Sequence, residues 1–143
     1  MLEATPREFP VNPRVWVADD DDDFRALVVE TLVADGYTVV EARDGVELLS
    51  LLDRAMESPA TRPELVITDV RMPRLSGLGV LEYLRRAQVA LPVVLMTGFF
   101  PESVGVLARR LGAFGVLTKP FLAEDLRSAV RSATRTSVAP SGR

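Results

Sequence analysis

Short apolar runs alternate along the chain with longer segments in which apolar residues recur every three or four positions. The short runs are typical of buried strands, and the longer segments are typical of amphipathic helices. We predict strands at residues 15–18, 37–42, 65–68, 93–96 and 113–117. Strands that alternate with helices favour βα units whose right-handed crossovers build a parallel sheet. The pattern therefore predicts an α/β fold, a doubly wound five-stranded parallel sheet with helices on both faces.

A helical segment follows each predicted strand. The first spans residues 23–35 and precedes Gly36, which stands where a helix-ending residue is expected. The third spans residues 78–87, and the fourth spans residues 104–111 before Gly112. The apolar stripes of the first, second and fifth helices are, respectively, Phe24, Leu27, Val28 and Leu32; Val46, Leu49, Leu52 and Met56; and Leu122, Leu126, Ala129, Val130 and Ala133. We expect these stripes to pack against the sheet.

The two ends of the chain differ from this body. Pro6, Pro10 and Pro13 interrupt the N-terminal segment, and residues 134–143 are small, polar and basic. We expect an extended N-terminal arm at residues 1–13, one domain at residues 14–133 and a flexible C-terminal tail at residues 134–143. A chain of 143 residues is long enough to bury one hydrophobic core without disulfides.

Composition excludes several kinds of chemistry. The chain has no cysteine and no histidine, so it offers neither a thiolate nor an imidazole, and any metal must bind oxygen ligands. Its net charge of -3 lacks the positive excess that binding to nucleic-acid phosphates requires. No apolar run approaches the length of a transmembrane helix, and residues 1–14 lack a signal-peptide core. We expect a soluble, cytoplasmic protein without direct nucleic-acid or membrane contacts.

Polar residues of a particular kind stand at the ends of four predicted strands. Asp19 and Asp20 follow the first strand, Asp69 the third, Thr97 the fourth and Lys119 the fifth. If the strands are ordered 2-1-3-4-5, the first and third are neighbours, and the carboxyl ends of the strands meet at a crevice where such sheets bind ligands. We therefore expect three carboxylates, one hydroxyl and one ammonium to converge there. That set is suited to phosphoryl transfer.

The acidic run at residues 19–23 has two interpretations. Acidic residues favour the first turn of a helix, and this role explains Asp22 and Asp23. Asp19 and Asp20 lie instead at the strand end beside Asp69, where neighbouring carboxylates would repel by roughly 3 kcal/mol per pair. A bound divalent cation would relieve that repulsion.

Four blocks of the sequence resemble the signature of the receiver domain of two-component response regulators, in the family's usual order. They are Val17-Ala18-Asp19-Asp20-Asp21, Ile67 through Pro73 and Gly77, Leu91 through Thr97, and Gly112-Ala113 through Lys119-Pro120-Phe121. Four separated blocks are hard to match by chance, and the resemblance covers essentially the whole ordered body. It implies a flavodoxin-like fold of the chemotaxis-receiver type.

The resemblance also implies a role for each acidic residue. Asp69 would attack the phosphorus of a phosphohistidine on a histidine kinase or phosphotransfer protein and so become an acyl phosphate. Asp20, Asp69 and the backbone carbonyl of Arg71 would hold Mg²⁺ directly, and Asp19 would act through a water. A receiver of this kind catalyses only its own phosphorylation and dephosphorylation, so it is not an enzyme in the usual sense.

The remaining strand-end residues would act on the phosphoryl group. The resemblance implies that Thr97 and Lys119 contact phosphoryl oxygens and that the peptide bond between Lys119 and Pro120 is cis. The added negative charge would bias the packing of the fourth and fifth helices. The face formed by the fourth helix, fifth strand and fifth helix would then contact a downstream protein.

Two features of this chain modify that expectation. Val116 stands where the family usually has Tyr or Phe, so the aromatic side chain that commonly follows the threonine is missing, although Phe114, Phe99 and Phe100 lie near in sequence. Phosphorylation is therefore better supported than the usual conformational readout. Arg71 and Phe99 stand two residues beyond Asp69 and Thr97, where bulk would hinder an attacking water. We expect a slowly hydrolysing acyl phosphate.

Three other interpretations stay open. A haloacid-dehalogenase-like phosphatase also carries a strand-end Asp-x-Asp, present here as Asp19-Asp20-Asp21, but Asp23 occupies the position of its expected Thr or Val. A phosphorylation-independent binding module would keep the fold and lose the readout, which Val116 favours. The chain would otherwise be the receiver portion of a longer regulator or hybrid kinase.

Overall fold

The structure is a computed structural model that describes residues 13–98 and 102–138, with side chains described as far as Thr134. Within these residues five strands alternate with five helices. The strands are β1 Arg14–Ala18, β2 Thr38–Ala42, β3 Leu65–Asp69, β4 Val93–Thr97 and β5 Gly115–Thr118. The helices are α1 Asp22–Ala34, α2 Gly45–Ala55, α3 Gly77–Arg86, α4 Glu102–Arg110 and α5 Ala123–Val138. The predicted alternation is confirmed, and the strand bounds differ from the predicted ones by two residues or fewer.

The five strands form one parallel sheet in the order β2-β1-β3-β4-β5, which confirms the predicted topology. β1 and β3 are neighbours at the centre of the sheet. Asp69 at the end of β3 is level with Met96, and Thr97 at the end of β4 is level with Thr118. The carboxyl ends of the strands therefore lie along one edge of the sheet, and we call this edge the site edge.

Helices cover both faces of the sheet. One core cluster lies beneath α2, α3 and α4 and includes Trp16, Leu48, Val80, Leu95 and Ala108. The other lies beneath α1 and α5 and includes Val17, Leu32, Ile67, Met96 and Leu126. Successive residues of a strand enter opposite clusters because their side chains point to opposite faces. The central strands are buried on both faces, which explains why they read as continuous apolar runs.

Three residues that the sequence assigned to apolar stripes are exposed instead. Leu27 is 60% exposed, Val46 is 42% exposed and Leu122 is 70% exposed. The buried residues of α1 are Arg25, Val28 and Leu32. Those of α2 are Gly45, Leu48, Leu52 and Ala55. The prediction was wrong for these three residues. Leu27 and Val46 lie on faces of α1 and α2 that the sheet does not cover, and Leu122 precedes the first residue of α5.

The structure places the C-terminal boundary later than the sequence did. α5 continues to Val138, whereas the expected tail began at residue 134. Thr134 is buried, and its hydroxyl donates to the carbonyl of Val130 one turn earlier. Because Thr134 lies on the packed face of α5, the change to small and polar residues at this point of the sequence does not end the helix. Residues 1–12 and 139–143 lie outside the described residues. In the part of the chain described, no helix is both long and apolar enough to cross a membrane.

Candidate functional site

Three aspartates meet at the site edge. Asp19 directly follows β1 and is fully buried, and Asp69 is the last residue of β3 and is 7% exposed. Asp20 is exposed beside them. One carboxylate oxygen from each of the three lies within 4.8 Å of the others. The predicted convergence of the three carboxylates is therefore present in the structure, and it follows from the pairing of β1 with β3.

Lys119 joins the acidic cluster from the end of β5. Its ammonium lies 3.0 Å from Oδ2 of Asp19 and 3.5 Å from Oδ1 of Asp69. The backbone N–H of Lys119 donates to the carbonyl of Thr97 at 2.8 Å, which ties the ends of β4 and β5 together. The peptide bond between Lys119 and Pro120 is cis, as expected. Lys119 is also the only lysine among the 17 basic residues of the chain, the others being arginine.

Thr97 occupies the next position along the site edge. It is the last residue of β4, and it is 1% exposed. β4 pairs with β3, so Thr97 lies one residue beyond the level of Asp69. The structure therefore gathers all the strand-end residues named from the sequence at one edge of the sheet.

The surroundings of Asp69 raise its pKa. Burial disfavours the charged carboxylate, and the negative charge of Asp19 adds to that effect, while the Lys119 ammonium offsets part of it. The balance raises the pKa of Asp69 from 3.8 to about 6. The one ammonium is thus not enough to compensate the clustered carboxylates. A further positive charge at this position would favour the ionised form of Asp69.

The donor set fits a hard divalent cation. All three side chains offer oxygen ligands, and their oxygens are close enough to share one ion. Mg²⁺ prefers a site of one or two carboxylates completed by waters and phosphate oxygens. The raised pKa of Asp69 also favours a bound cation, because the cation would compensate the negative charge that the cluster retains.

The loop after β3 is held tightly against Asp69. The N–H of Val70 donates to the carbonyl of Met96 at 2.8 Å, and the N–H of Gly77 donates to the carbonyl of Val70 at 2.9 Å. A β-carbon at Gly77 would overlap the carbonyl oxygen of Asp69, so only glycine allows this approach. Arg71 lies in this loop and is exposed. The loop that carries the Arg71 carbonyl is therefore fixed at both of its ends.

Arg25 supports the acidic loop, and the sequence reasoning missed it. It is only 9% exposed, and its guanidinium donates to the carbonyl of Asp19 at 2.6 Å. It also forms ion pairs with Asp22 and Glu41, each at 2.8 Å. The signal in the sequence was its spacing. Arg25 stands three residues before Val28 and seven before Leu32, so it shares the buried face of α1 with them.

One aromatic ring contacts the lysine, and a second ring packs against the first. The Lys119 ammonium lies 4.3 Å from the centroid of the Phe24 ring. The Phe24 and Phe121 rings meet edge to face, with centroids 5.5 Å apart and an angle of 84° between planes. Phe24 was assigned only to the apolar stripe of the first helix. The contact with Lys119 joins α1 to the end of β5.

Val116 leaves the position near Thr97 without an aromatic side chain among the described residues. Val116 is half-buried, level with Leu95, and packs against the core beneath α2, α3 and α4. Phe114 does not replace it, because Phe114 is 40% exposed and its N–H donates to the carbonyl of Val93 at the other end of β4. Phe99 and Phe100, the other aromatic residues considered, lie outside the described residues.

Comparison with known proteins agrees with this site. The family model of the response regulator receiver domain matches residues 15–131. The chain is 32% identical over 127 residues to the alkaline phosphatase synthesis transcriptional regulatory protein PhoP of Bacillus subtilis, covering 89% of this chain and 50% of PhoP. It is 34% identical over 107 residues to the DNA-binding transcriptional regulator NtrC of Escherichia coli, covering 75% of this chain and 22% of NtrC. The chain thus spans half or less of the length of these curated relatives.

Solved structures give the same result. A response regulator receiver domain protein from Clostridium thermocellum superposes with a TM-score of 0.77 and 29% identity, covering 87% of this chain and 95% of that one. The receiver domain of NtrX from Brucella abortus gives a TM-score of 0.75 and 31% identity, covering 85% of this chain and 98% of that one. The chain belongs to the response regulator receiver domain family of two-component signalling.

Proposed function

We propose that this receiver domain accepts a phosphoryl group on Asp69 and passes the signal on by protein contact. The observation that carries the proposal is the meeting of Asp19, Asp20 and Asp69 with Lys119 at the site edge. A carboxylate held beside an ammonium and a metal-binding set of oxygens is suited to attack on phosphorus. Asp69 is the nucleophile in this proposal because it ends β3, between the strands that carry the other residues.

In the proposed step an oxygen of the Asp69 carboxylate attacks the phosphorus of a phosphohistidine. The new P–O bond forms as the P–N bond breaks, and the bonding electron pair stays on the imidazole nitrogen of the donor. The products are an acyl phosphate on Asp69 and a free histidine on the donor. The chain itself has no histidine, so the donor is a separate segment, a histidine kinase or a phosphotransfer protein.

The other residues of the site bind and orient the phosphoryl group. The proposed direct Mg²⁺ ligands are Asp20, Asp69 and the backbone carbonyl of Arg71, and Asp19 would contact the ion through a water. Bound there, Mg²⁺ would neutralise charge on the phosphoryl oxygens. The Lys119 ammonium, already 3.5 Å from Oδ1 of Asp69, is placed to pair with a second phosphoryl oxygen. Thr97 would donate its hydroxyl to a third.

An apolar groove beside the site offers a place for the donor protein. The groove lies between α1 and α5, holds about 160 Å³ and is lined by Phe24, Leu27, Thr31, Phe121, Ala123 and Leu126. Leu27, which lines the groove, is 60% exposed, and Leu122, the residue directly before α5, is 70% exposed. Phe24 lines the groove and also contacts Lys119, so a helix seated there would bring its histidine close to Asp69. We therefore place the kinase or phosphotransfer protein on this surface.

The output surface is proposed on α4, β5 and α5. A second groove of about 500 Å³ lies along β5 and α5 and includes Phe114, Val116, Pro120 and Phe121. We propose that a downstream protein binds there and that the domain works in the cytoplasm. Relatives such as NtrC are named as DNA-binding regulators. We propose that this receiver does not touch DNA itself, because its net charge of -3 disfavours phosphate contacts.

The proposal is tested by incubating the protein with acetyl phosphate and Mg²⁺ and measuring its intact mass. We expect one added phosphoryl group, which borohydride reduction and peptide mapping place on Asp69. Asp69→Asn should abolish the adduct. The dehalogenase-like alternative predicts instead that Asp19→Asn abolishes it and that the adduct maps to Asp19. Absence of any adduct in the parent protein, or an adduct on Asp19, would overturn the proposal.

One observation favours a second candidate, a receiver that binds its partner without needing phosphorylation. Val116 provides no aromatic side chain behind Thr97, and Phe114 lies at the far end of β5. The two candidates differ in how partner binding responds to beryllofluoride with Mg²⁺, which mimics the phosphorylated state. A change in partner affinity supports phosphorylation-dependent signalling. An unchanged affinity supports the second candidate.

A further inference from the structure

We propose that Phe24 is a positioning residue that holds the Lys119 ammonium where it meets the incoming phosphoryl group. This inference rests on the proposed function, because it concerns a side chain that acts through Lys119 at the same site. Phe24 contacts neither the phosphoryl group nor the metal in this proposal.

The geometry places the ring against the ammonium from a fixed position. Phe24 lies in the first turn of α1, and its N–H donates to Oδ1 of the capping Asp21 at 3.0 Å. The next residue, Arg25, is anchored by its ion pairs with Asp22 and Glu41. The Phe121 ring meets the Phe24 ring edge to face, and this contact restricts the orientation of the Phe24 ring. The Phe24 ring is therefore held by its backbone on one side and by an aromatic neighbour on the other.

The charges at the site explain why such a contact is needed. In the structure three groups attract the ammonium: Asp19 at 3.0 Å, Asp69 at 3.5 Å and the Phe24 ring at 4.3 Å from its centroid. A divalent cation shared by the two carboxylates would weaken their pull on the ammonium and would also repel it. The Phe24 ring is not a ligand of that cation. The attraction between the negative face of the ring and the ammonium therefore persists.

The lysine side chain itself needs this support. Its four-carbon stem is flexible, and holding it in one conformation costs rotamer entropy. The side chain is 20% exposed, so its contact with the ring is partly shielded from water. A partly desolvated cation–π contact is stronger than one on an open surface. Loss of the ring should therefore leave Lys119 in place only part of the time.

The contact can be measured without metal or phosphodonor, because the chain has one lysine. In protein labelled with ¹³C-lysine, NMR should show the Lys119 Hε protons shifted upfield by the ring current of Phe24. Phe24→Leu should remove that shift, and Phe24→Tyr should keep it. An Hε signal at the position of free lysine in the folded parent protein would overturn the proposal.

The functional arm uses acetyl phosphate, a small donor that needs no docking surface. With Mg²⁺ present, Phe24→Leu should lower the maximal phosphorylation rate by about five-fold, a loss that a partly desolvated cation–π contact can supply. The donor concentration at half-maximal rate should change little, and Phe24→Tyr should restore the rate. Tyr37→Leu is the matched control, because Tyr37 packs on the same core cluster at the opposite end of the sheet and should leave the rate unchanged.

The outcomes separate this inference from the proposed function. If the parent protein forms no Asp69 adduct, the proposed function fails, while the NMR arm still reports whether the ring holds the lysine. If the adduct forms and Phe24→Leu reacts at the parental rate, the positioning role is wrong. A slower transfer from a phosphohistidine protein with an unchanged acetyl phosphate rate would assign Phe24 to donor docking alone and would also refute the positioning role.

Discussion

Replacing Asp69 by asparagine is expected to stabilise the metal-free protein. Burial and the neighbouring charge of Asp19 raise the pKa of Asp69 to about 6. The folded protein therefore binds this proton more tightly than the unfolded chain, so stability falls as pH rises through the interval between the two pKa values. Asparagine has nearly the same shape as aspartate and carries no charge. It should remove the cost of the buried carboxylate.

The size of the gain depends on pH. The pKa of Asp69 moves from 3.8 to about 6 on folding, and each pKa unit corresponds to about 1.4 kcal/mol. Above the folded pKa, as near pH 7.5, the full cost of about 3 kcal/mol applies. Near pH 4.5 the folded protein keeps the proton, and the cost falls to about 1 kcal/mol. Asp69→Asn should therefore gain most at neutral pH and progressively less as the solution is acidified.

Urea unfolding in the presence of a chelator measures this gain. Trp16 is the only tryptophan and is buried, so its fluorescence reports the global transition. The free energy of unfolding of Asp69→Asn is compared with that of the parent at several pH values, with the m-value checked for constancy. Asp53→Asn is the control, because Asp53 is exposed on α2 and its replacement should change stability by less than about 0.5 kcal/mol.

Two results would refute the reasoning. The first is an Asp69→Asn protein that is no more stable than the parent near pH 7.5, since the charged carboxylate would then carry no cost. The second is a gain of the same size near pH 4.5, since the gain would then come from something other than the Asp69 proton. Adding Mg²⁺ should stabilise the parent more than the variant, because the cation compensates the charge that the variant lacks.

Three further predictions concern Lys119, Gly77 and Arg71. Lys119→Met leaves two carboxylates without their ammonium. The free energy of unfolding near pH 7.5 should therefore fall by about 2 kcal/mol, and Mg²⁺ should restore part of the loss; an unchanged value would refute the prediction. Gly77→Ala should cost about 1 to 3 kcal/mol and weaken Mg²⁺ binding, whereas Gly115→Ala, which meets open space, should be nearly neutral; equal effects would remove the overlap argument. Arg71→Asn should speed acyl phosphate hydrolysis, and equal decay would end the shielding hypothesis.

The sheet and most of the site were predictable because topology places them. Five apolar runs alternating with helical segments favour one parallel sheet, and the carboxyl ends of parallel strands share an edge. No further information was needed to predict that the following residues lie at this edge, since each ends a strand or directly follows one: Asp19, Asp69, Thr97 and Lys119. Asp20 joins them from the residue after Asp19.

The parts that escaped prediction depend on how helices sit on the sheet. Leu27 and Arg25 are two residues apart and so lie on nearly opposite faces of α1. The sequence favoured the apolar residue, although the structure buries the arginine. Arg25 is buried because the Asp19 carbonyl and two carboxylates surround it, which no local pattern reveals. The Phe24 contact with Lys119 likewise joins residues that are distant in sequence. Such contacts follow from tertiary packing.

The central claim is that the three acids share one Mg²⁺ while Asp69 carries the phosphoryl group. A crystal structure with Mg²⁺ and beryllofluoride tests it most directly. We expect one ion bound directly by Asp20, Asp69 and the backbone carbonyl of Arg71, with Asp19 contacting it through a water. We expect beryllofluoride on the Asp69 carboxylate, and Lys119 with Thr97 on its fluorines. A metal bound elsewhere, or beryllofluoride on Asp19 or on no carboxylate, would contradict the account.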